Sequence, residues 1–503
     1  MNKRKQRLFA LLAVLFFFVG VYAVVRITFA KGDPQEKPDP SLLLLSVDEG
    51  DITEISYAFG ETRITLCNND GKWVLAGDGD FPASQKLAAD MAKVFSRLTA
   101  NSEVKDTSGR FPLFGLDHPQ RSISVRYRGG QQQYHFGIQN TVTGEYYLNP
   151  EGTSLVYMVN RSIPEKFFFN LPDLVEMDFL PLLRYENIVR FSVANEGKQT
   201  SVSFHPGGLP GFYSSRLEWF MTGENPESLT PAGTRRVRDF FVPFSRTEFR
   251  FTRCVAYQPT TEQLDAFGLL EPRAVLTVAY RDGFTREDKG EDTEKSLVLL
   301  VGAPAEAGFH YARREGSALV YTLADSRANV IAGFAPSRLR SLDVCLIEPG
   351  TIESMGITLD DKEYEVLVTR GGGETSDAVQ TGADQADAVQ TDADQADIDD
   401  LLFTINGHPV QPSSFLSFYT RLTDLQAESF IDETALGEAP PKEAPPYLTI
   451  VFRRNTDSFS SMELQFIPYD EHFFLAGFPG DRNLLVNRMD VLDLATRFQS
   501  INP

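Results

Sequence analysis

Internal repetition constrains this chain more than any other feature, because a chain that repeats itself folds as copies of one unit. Three landmarks recur in the same order. An aromatic residue stands four positions before a glycine in Trp73-Val74-Leu75-Ala76-Gly77, Trp219-Phe220-Met221-Thr222-Gly223 and Phe403-Thr404-Ile405-Asn406-Gly407. An aromatic, a hydroxyl residue and an arginine follow in Phe95-Ser96-Arg97, Phe244-Ser245-Arg246 and Tyr419-Thr420-Arg421. Phe114-Gly115-Leu116-Asp117-His118-Pro119 has a second copy in Phe267-Gly268-Leu269-Leu270-Glu271-Pro272 and a worn one in Leu436-Gly437-Glu438-Ala439-Pro440. Beyond these, Glu151 to Tyr157 nearly matches Glu315 to Tyr321. The spacing between the first two copies grows along the repeat, as loop insertions in one copy would make it grow. The repeats are placed at 46–184, 185–347 and 348–503, and a length of 503 residues agrees with about three domains.

Each repeat reads as strands around one helix. Apolar residues alternate over Ile52–Phe59, Thr62–Cys67 and Trp73–Leu75, which predicts strands. Leu87, Met91, Val94, Phe95 and Leu98 fall on one helical face, with Ser84 or Pro82 at its start. Further strands are expected at Ser122–Tyr127, Gln133–Ile138, Glu145–Leu148 and Leu155–Val159, then a short helix over Ser162–Phe169. The third repeat follows suit at Tyr447–Arg453, Ser461–Ile467, His472–Leu475 and Leu484–Asn487, with a helix over Val491–Phe498. Short turns between strands make the sheets mostly antiparallel, and the fold class is α+β.

The first 31 residues differ from the rest. Lys3, Arg4, Lys5 and Arg7 precede Leu8–Val25, a run of 18 residues without a charge. As a helix it would cover about 27 Å, enough for a thin hydrocarbon core. Val21-Tyr22-Ala23 offers a signal-peptide cleavage site. The apolar run continues past it, so residues 1–31 are read as an uncleaved transmembrane signal anchor. Either way the basic cluster stays inside and the bulk of the chain lies outside the cytoplasm; on the anchor reading it is a single-pass cell-membrane protein. Residues 32–45, with the Pro-rich GDPQEKPDP stretch, are read as a linker.

The net charge of −21, from 69 acidic and 48 basic residues, argues against nucleic acid as a partner. Residues 371–400 carry nine acidic and no basic residues and hold two near-identical decapeptides, DAVQTGADQA and DAVQTDADQA. Such a stretch cannot bury a core and is expected to be a disordered insertion.

No motif carries chemistry. HExxH, GxSxG, a P-loop and GxGxxG are absent, and the six histidines are dispersed along the chain. Cys67, Cys254 and Cys345 have no metal-ligand spacing, and Cys67 reads as a small buried hydrophobe. Gly115 and Pro119 read as turn residues, with Phe114 and Leu116 plugging the core. Trp73 and Trp219 read as core residues rather than sugar platforms. Arg97, Arg246 and Arg421 suit helix C-termini. The cluster Arg235, Arg236, Arg238, Arg246, Arg250 and Arg253 reads as a solvated helix face, with anionic lipid or wall polymer as the alternative contact. No residue is assigned a catalytic, cofactor-binding or metal-binding role.

The apolar start, DGKWVLAG (Asp70–Gly77), FGLDHP (Phe114–Pro119) and YHFGIQN (Tyr134–Asn140) together resemble the DUF4340 family of bacterial proteins. The resemblance is strongest over residues 46–320. Its members have no established activity, and the family is associated with gliding-type ABC transport components. The resemblance implies an accessory extracytoplasmic subunit. The expectation is therefore a non-catalytic membrane-anchored protein with a protein partner in a transport complex and no cofactor. A cell-envelope ligand- or polymer-binding module is the alternative, followed by a hydrolase.

Overall fold

Alternating sequence becomes strand in each repeat. The computed structural model describes residues 42–107, 109–222, 229–281, 294–370, 401–431, 444–478 and 483–501. The first repeat contains β1 (Leu43–Leu45), β2 (Ile52–Phe59), β3 (Thr62–Asn69), β4 (Lys72–Leu75), β5 (Leu98–Thr99), β6 (Ser102–Val104), β7 (Arg121–Tyr127), β8 (Gly130–Gln139), β9 (Tyr146–Pro150) and β10 (Val156–Val159). The second contains β11 (Ile188–Asn195), β12 (Lys198–Phe204), β13 (Trp219–Thr222), β14 (Leu229–Ala232), β15 (Arg253–Tyr257), β16 (Ala274–Tyr280), β17 (Lys295–Pro304), β18 (Phe309–Arg314) and β19 (Leu319–Ala324). The third contains β20 (Ile352–Leu359), β21 (Lys362–Arg370), β22 (Leu401–Ile405), β23 (His408–Val410), β24 (Ser429–Phe430), β25 (Leu448–Arg454), β26 (Ser461–Pro468), β27 (Phe473–Gly477) and β28 (Leu484–Asn487).

Three large sheets result, with strand orders β4-β3-β2-β7-β8-β9-β10-β6, β14-β13-β12-β11-β16-β17-β18-β19-β15 and β23-β22-β21-β20-β25-β26-β27-β28-β24. The order is the same each time, except that among the described residues the first sheet has no strand outside β4. The expectation of mostly antiparallel, repeat-like β-rich units holds. One strand after the first helix of each repeat, β6, β15 or β24, lies at the far edge of its sheet, away from the strands that precede it in sequence. In the first sheet β6 lies at the far edge, pairing Val104, Glu103 and Ser102 with Val156, Tyr157 and Met158.

The helices are α1 (Gln85–Ser96), α2 (Thr234–Phe241), α3 (Thr261–Ala266), α4 (Asp325–Ala332), α5 (Pro412–Thr423) and α6 (Arg488–Ile501). Ser84 caps α1, its hydroxyl accepting from the Leu87 amide at 3.5 Å. Ala88, Met91, Ala92 and Phe95 form its buried face. In the third repeat Phe415, Phe418 and Leu422 of α5 and Leu494 and Phe498 of α6 join Ile357, Phe403 and Ile450 of the sheet in one core.

The chain divides into two compact units. One comprises Met1–Phe179, Arg253–Gln258 and Ala318–Tyr321; the other comprises Leu180–Thr252, Pro259–Ser317 and Thr322–Pro503.

Several expectations are corrected or fall elsewhere. Leu43–Leu45, read as part of a linker, is a strand paired with β5. The helix expected over Ser162–Phe169 is one 3-10 turn, Pro164–Lys166. Cys67 is half-buried rather than buried, because Ile64 and Leu66 claim the core-facing side of β3 and leave Cys67 on the other. The Leu8–Val25 run, residues 371–400 and the worn Leu436–Pro440 motif lie outside the described residues. Among the described residues no helix is long and apolar enough to cross a membrane.

Candidate functional site

A repeated active group would recur in the same place in each sheet. Register places Trp73 opposite Asn68, Trp219 opposite Phe204 and Phe403 opposite Val368, which are equivalent sites in the three sheets. All three aromatics are buried, so none offers a face to a ligand. Trp219 Nε1 donates to the Tyr185 hydroxyl at 3.0 Å.

What covers the outer edge at this site differs. Trp219 pairs with Ala232 of β14, and Phe403 with Val410 of β23. Among the described residues Trp73 has no such strand. Instead the Gln85 side-chain amide donates to the Trp73 carbonyl and accepts from its amide, each at 2.8 Å. One side chain thus does the work of a strand edge.

The Phe-Gly-Leu turns are docking devices. Gly115 and Gly268 take φ values of +66° and +63°, which glycine adopts without strain. Each turn seats its carbonyl on a second glycine in the neighbouring strand. A Cβ on Gly137 would lie 1.9 Å from the Phe114 oxygen, and one on Gly302 would lie 2.3 Å from the Phe267 oxygen. The Ala303 amide donates to that Phe267 carbonyl at 2.9 Å. The pairing of β8 with β9 and of β17 with β18 shifts register at these glycines, making room for the turn. Phe114 is only half-buried, its ring tilted against Tyr147 with centroids 4.9 Å apart, while Leu116 is the buried plug. The third sheet has Ile467 where the others have glycine, and β26 and β27 pair without a shift.

The arginine landmark is partly corrected. The α1 and α5 helices are both twelve residues long, so Leu422 of the third repeat, not Tyr419, matches Phe95. Arg97 and Arg246 are exposed, and Arg421 is tied to Asp490 and, at 3.1 Å, to Asp493. The wider arginine cluster is exposed, but only Arg235, Arg236 and Arg238 lie on the helix α2.

Two polar constellations escaped the sequence. His310 is buried, with Nδ1 2.7 Å from Asp325 Oδ1 and Nε2 3.1 Å from Arg273 Nη1. Since the guanidinium can only donate, Nε2 accepts, and Nδ1 carries the proton given to Asp325. An Asp–His pair is two-thirds of a hydrolytic triad, but here Arg273 occupies the nitrogen a nucleophile would need. The arrangement ties β18 to the start of α4. The second constellation surrounds Arg454, whose side chain is 3% exposed. It reaches Glu348 Oε2 at 3.4 Å, the Tyr213 carbonyl at 2.8 Å and the Thr351 hydroxyl at 3.0 Å. Glu348 Oε1 in turn accepts from the hydroxyls of Ser214 and Ser215 at 2.7 and 2.8 Å. Both clusters lie within the second compact unit.

That unit also has a cleft of about 130 Å³, lined by Tyr213, Arg340, Asp343, Phe430 and Phe478 among others. The Arg340 guanidinium sits 4.2 Å from the centre of the Phe430 ring. Among the described residues no group of three metal-ligating side chains converges. Burial pushes the Cys254 thiol up to about 11 and the Cys345 thiol up to about 12, so neither is poised as a nucleophile.

Comparison of the whole sequence with known families matches residues 73–210 and 231–447 to DUF4340, a domain of unknown function. The chain belongs to the DUF4340 family. The matched DUF4340 region takes in the first Trp landmark, both Phe-Gly-Leu turns and the helix α5. Neither the curated proteins nor the solved structures include a match to this DUF4340 chain.

Proposed function

We propose that this DUF4340 protein is a non-catalytic, membrane-anchored extracytoplasmic protein, acting as an accessory or scaffold subunit of an ABC-type transport system. One observation carries the reading. The residues kept from copy to copy are spent on packing: buried Trp73, Trp219 and Phe403, and turns seated on Gly137 and Gly302. Repeats that conserve their cores multiply surface, and extended surface serves a protein partner. The apolar Leu8–Val25 run with basic residues before it supports the anchor and its orientation. The bacterial envelope setting and the transport partner come from the family resemblance.

Purification of the full chain in mild detergent tests this. An ATPase and a permease should accompany it, and a chain lacking residues 1–31 should lose them. Recovery of the protein alone, under conditions that keep other membrane complexes intact, overturns the proposal. The cleft beside Arg340 and Phe430 favours a second reading, a binding module for an envelope ligand or polymer. Saturable binding of an envelope extract component, lost on Phe430→Ala, would move the weight to it.

A further inference from the structure

The chain is strongly acidic, yet five arginines of the second compact unit stand exposed within a short stretch: Arg235, Arg236 and Arg238 on α2, and Arg246 and Arg250 just after it. Some arginines elsewhere are neutralised. Arg126 pairs with Glu54, Arg421 with Asp493 and Arg454 with Glu348. Among the described residues none of the five forms an ion pair.

One of them, Arg238, borders a built surface. A groove of about 220 Å³ runs between Arg184, Tyr185 and Glu186 on one side and Arg238, Phe241, Val242 and Ser245 on the other. The Arg238 guanidinium lies 5.0 Å from the centre of the Tyr185 ring, and the Tyr185 hydroxyl is held by Trp219. The ring contact restrains the guanidinium before anything binds, which lowers the entropy lost on pairing. Val242 is 41% exposed and gives the groove an apolar floor.

We infer that this groove docks a carboxylate-rich peptide segment of a protein partner, in extended form, with acidic side chains on Arg235, Arg236 and Arg238 and an apolar one on Val242. Charge complementarity selects an anionic occupant. Three carboxylates among the arginines, Glu186, Asp239 and Glu248, select its class. They repel a uniform polyanion such as a lipid surface or wall polymer, whereas a peptide of mixed composition can place neutral residues against them. The inference rests on the proposed role in serving a protein partner and names the chemistry of one contact.

Titration of the purified full chain with a fluorescent Glu-rich peptide bearing one central leucine tests the groove itself, apart from the intact assembly. Saturable binding should weaken as salt rises. The triple variant Arg235→Gln, Arg236→Gln, Arg238→Gln should weaken it about tenfold, each exposed pair contributing about twofold. Arg238→Lys keeps the charge and loses the planar guanidinium, so a smaller loss is expected. A triple variant that melts like the parent chain and still binds the peptide equally well overturns the inference. So does tighter, arginine-dependent binding to phosphatidylglycerol vesicles. Should the triple variant fold poorly, Arg235→Gln with Arg246→Gln offers the same comparison away from Arg238.

Discussion

The first and third repeats share a strand order but treat one position in opposite ways. Gly137 in the first accepts the carbonyl of an incoming turn, and its strand shifts register to do so. Ile467 in the third is a buried side chain on a regular ladder. A carbonyl needs the empty space that only glycine leaves; a side chain fills that space and excludes the turn.

The contrast breaks most sharply by substitution at the seat. Gly137→Ala should cost about 4 kcal/mol, because its new methyl group would fall inside the Phe114 oxygen. Gly302→Ala should behave alike, and calorimetry would resolve which transition each one moves. Little change in either would dismantle the idea of a seated turn. Arg454→Met should cost about 3 kcal/mol by stranding Glu348 and the groups around it, measured as a drop in denaturation midpoint of the second compact unit. Ile467→Ala reverses the logic of the glycines: removing atoms, not adding them, should cost about 2 kcal/mol. A neutral result would mean the third repeat does not depend on that filling.

Smaller effects sharpen the edge comparison. Gln85→Ala should cost about 1.5 kcal/mol, since two backbone groups of Trp73 lose their partner. The second and third sheets, edged by β14 and β23, offer no equivalent position, so the effect belongs to the first repeat alone. The thiols report least on stability. At about pH 8 a disulfide reagent should label half-buried Cys67 in the native protein, and Cys254 and Cys345 only after unfolding. Both buried thiols titrate higher when folded, up to about 11 and about 12, than the roughly 8.5 of an unfolded chain. Folding therefore holds protons that the unfolded chain releases. Their contribution is complete below about pH 8.5 and declines as pH rises through the folded values. Native labelling of all three would contradict the burial.

Much of the sheet was legible because alternation is local. Ile52–Phe59 and Leu484–Asn487 are strands with the bounds expected. Strands β1, β5 and β24 were not, being two or three residues long and too short to show a period. The Tyr419 landmark slipped by three residues, nearly one helical turn, which puts a second aromatic on the same face. The first half of the turn-and-seat device was visible in Phe-Gly-Leu. Its partner glycine looked like any other strand residue. His310 and Asp325, and Arg454 and Glu348, meet only through sheet topology, so linear spacing held no sign of them.

The far-edge placement of β6 bears on how the chain is made. Ser102–Val104 leaves the ribosome long before Val156–Met158, its partner, exists. Until residues 105–155 have followed, the nascent copy carries a raw strand edge and an unsealed core. The same holds for β24, which waits for β28. Each copy therefore closes from its C-terminal hairpin, and a chain paused during synthesis would present open edges, the form most exposed to mispairing with its own sister copies.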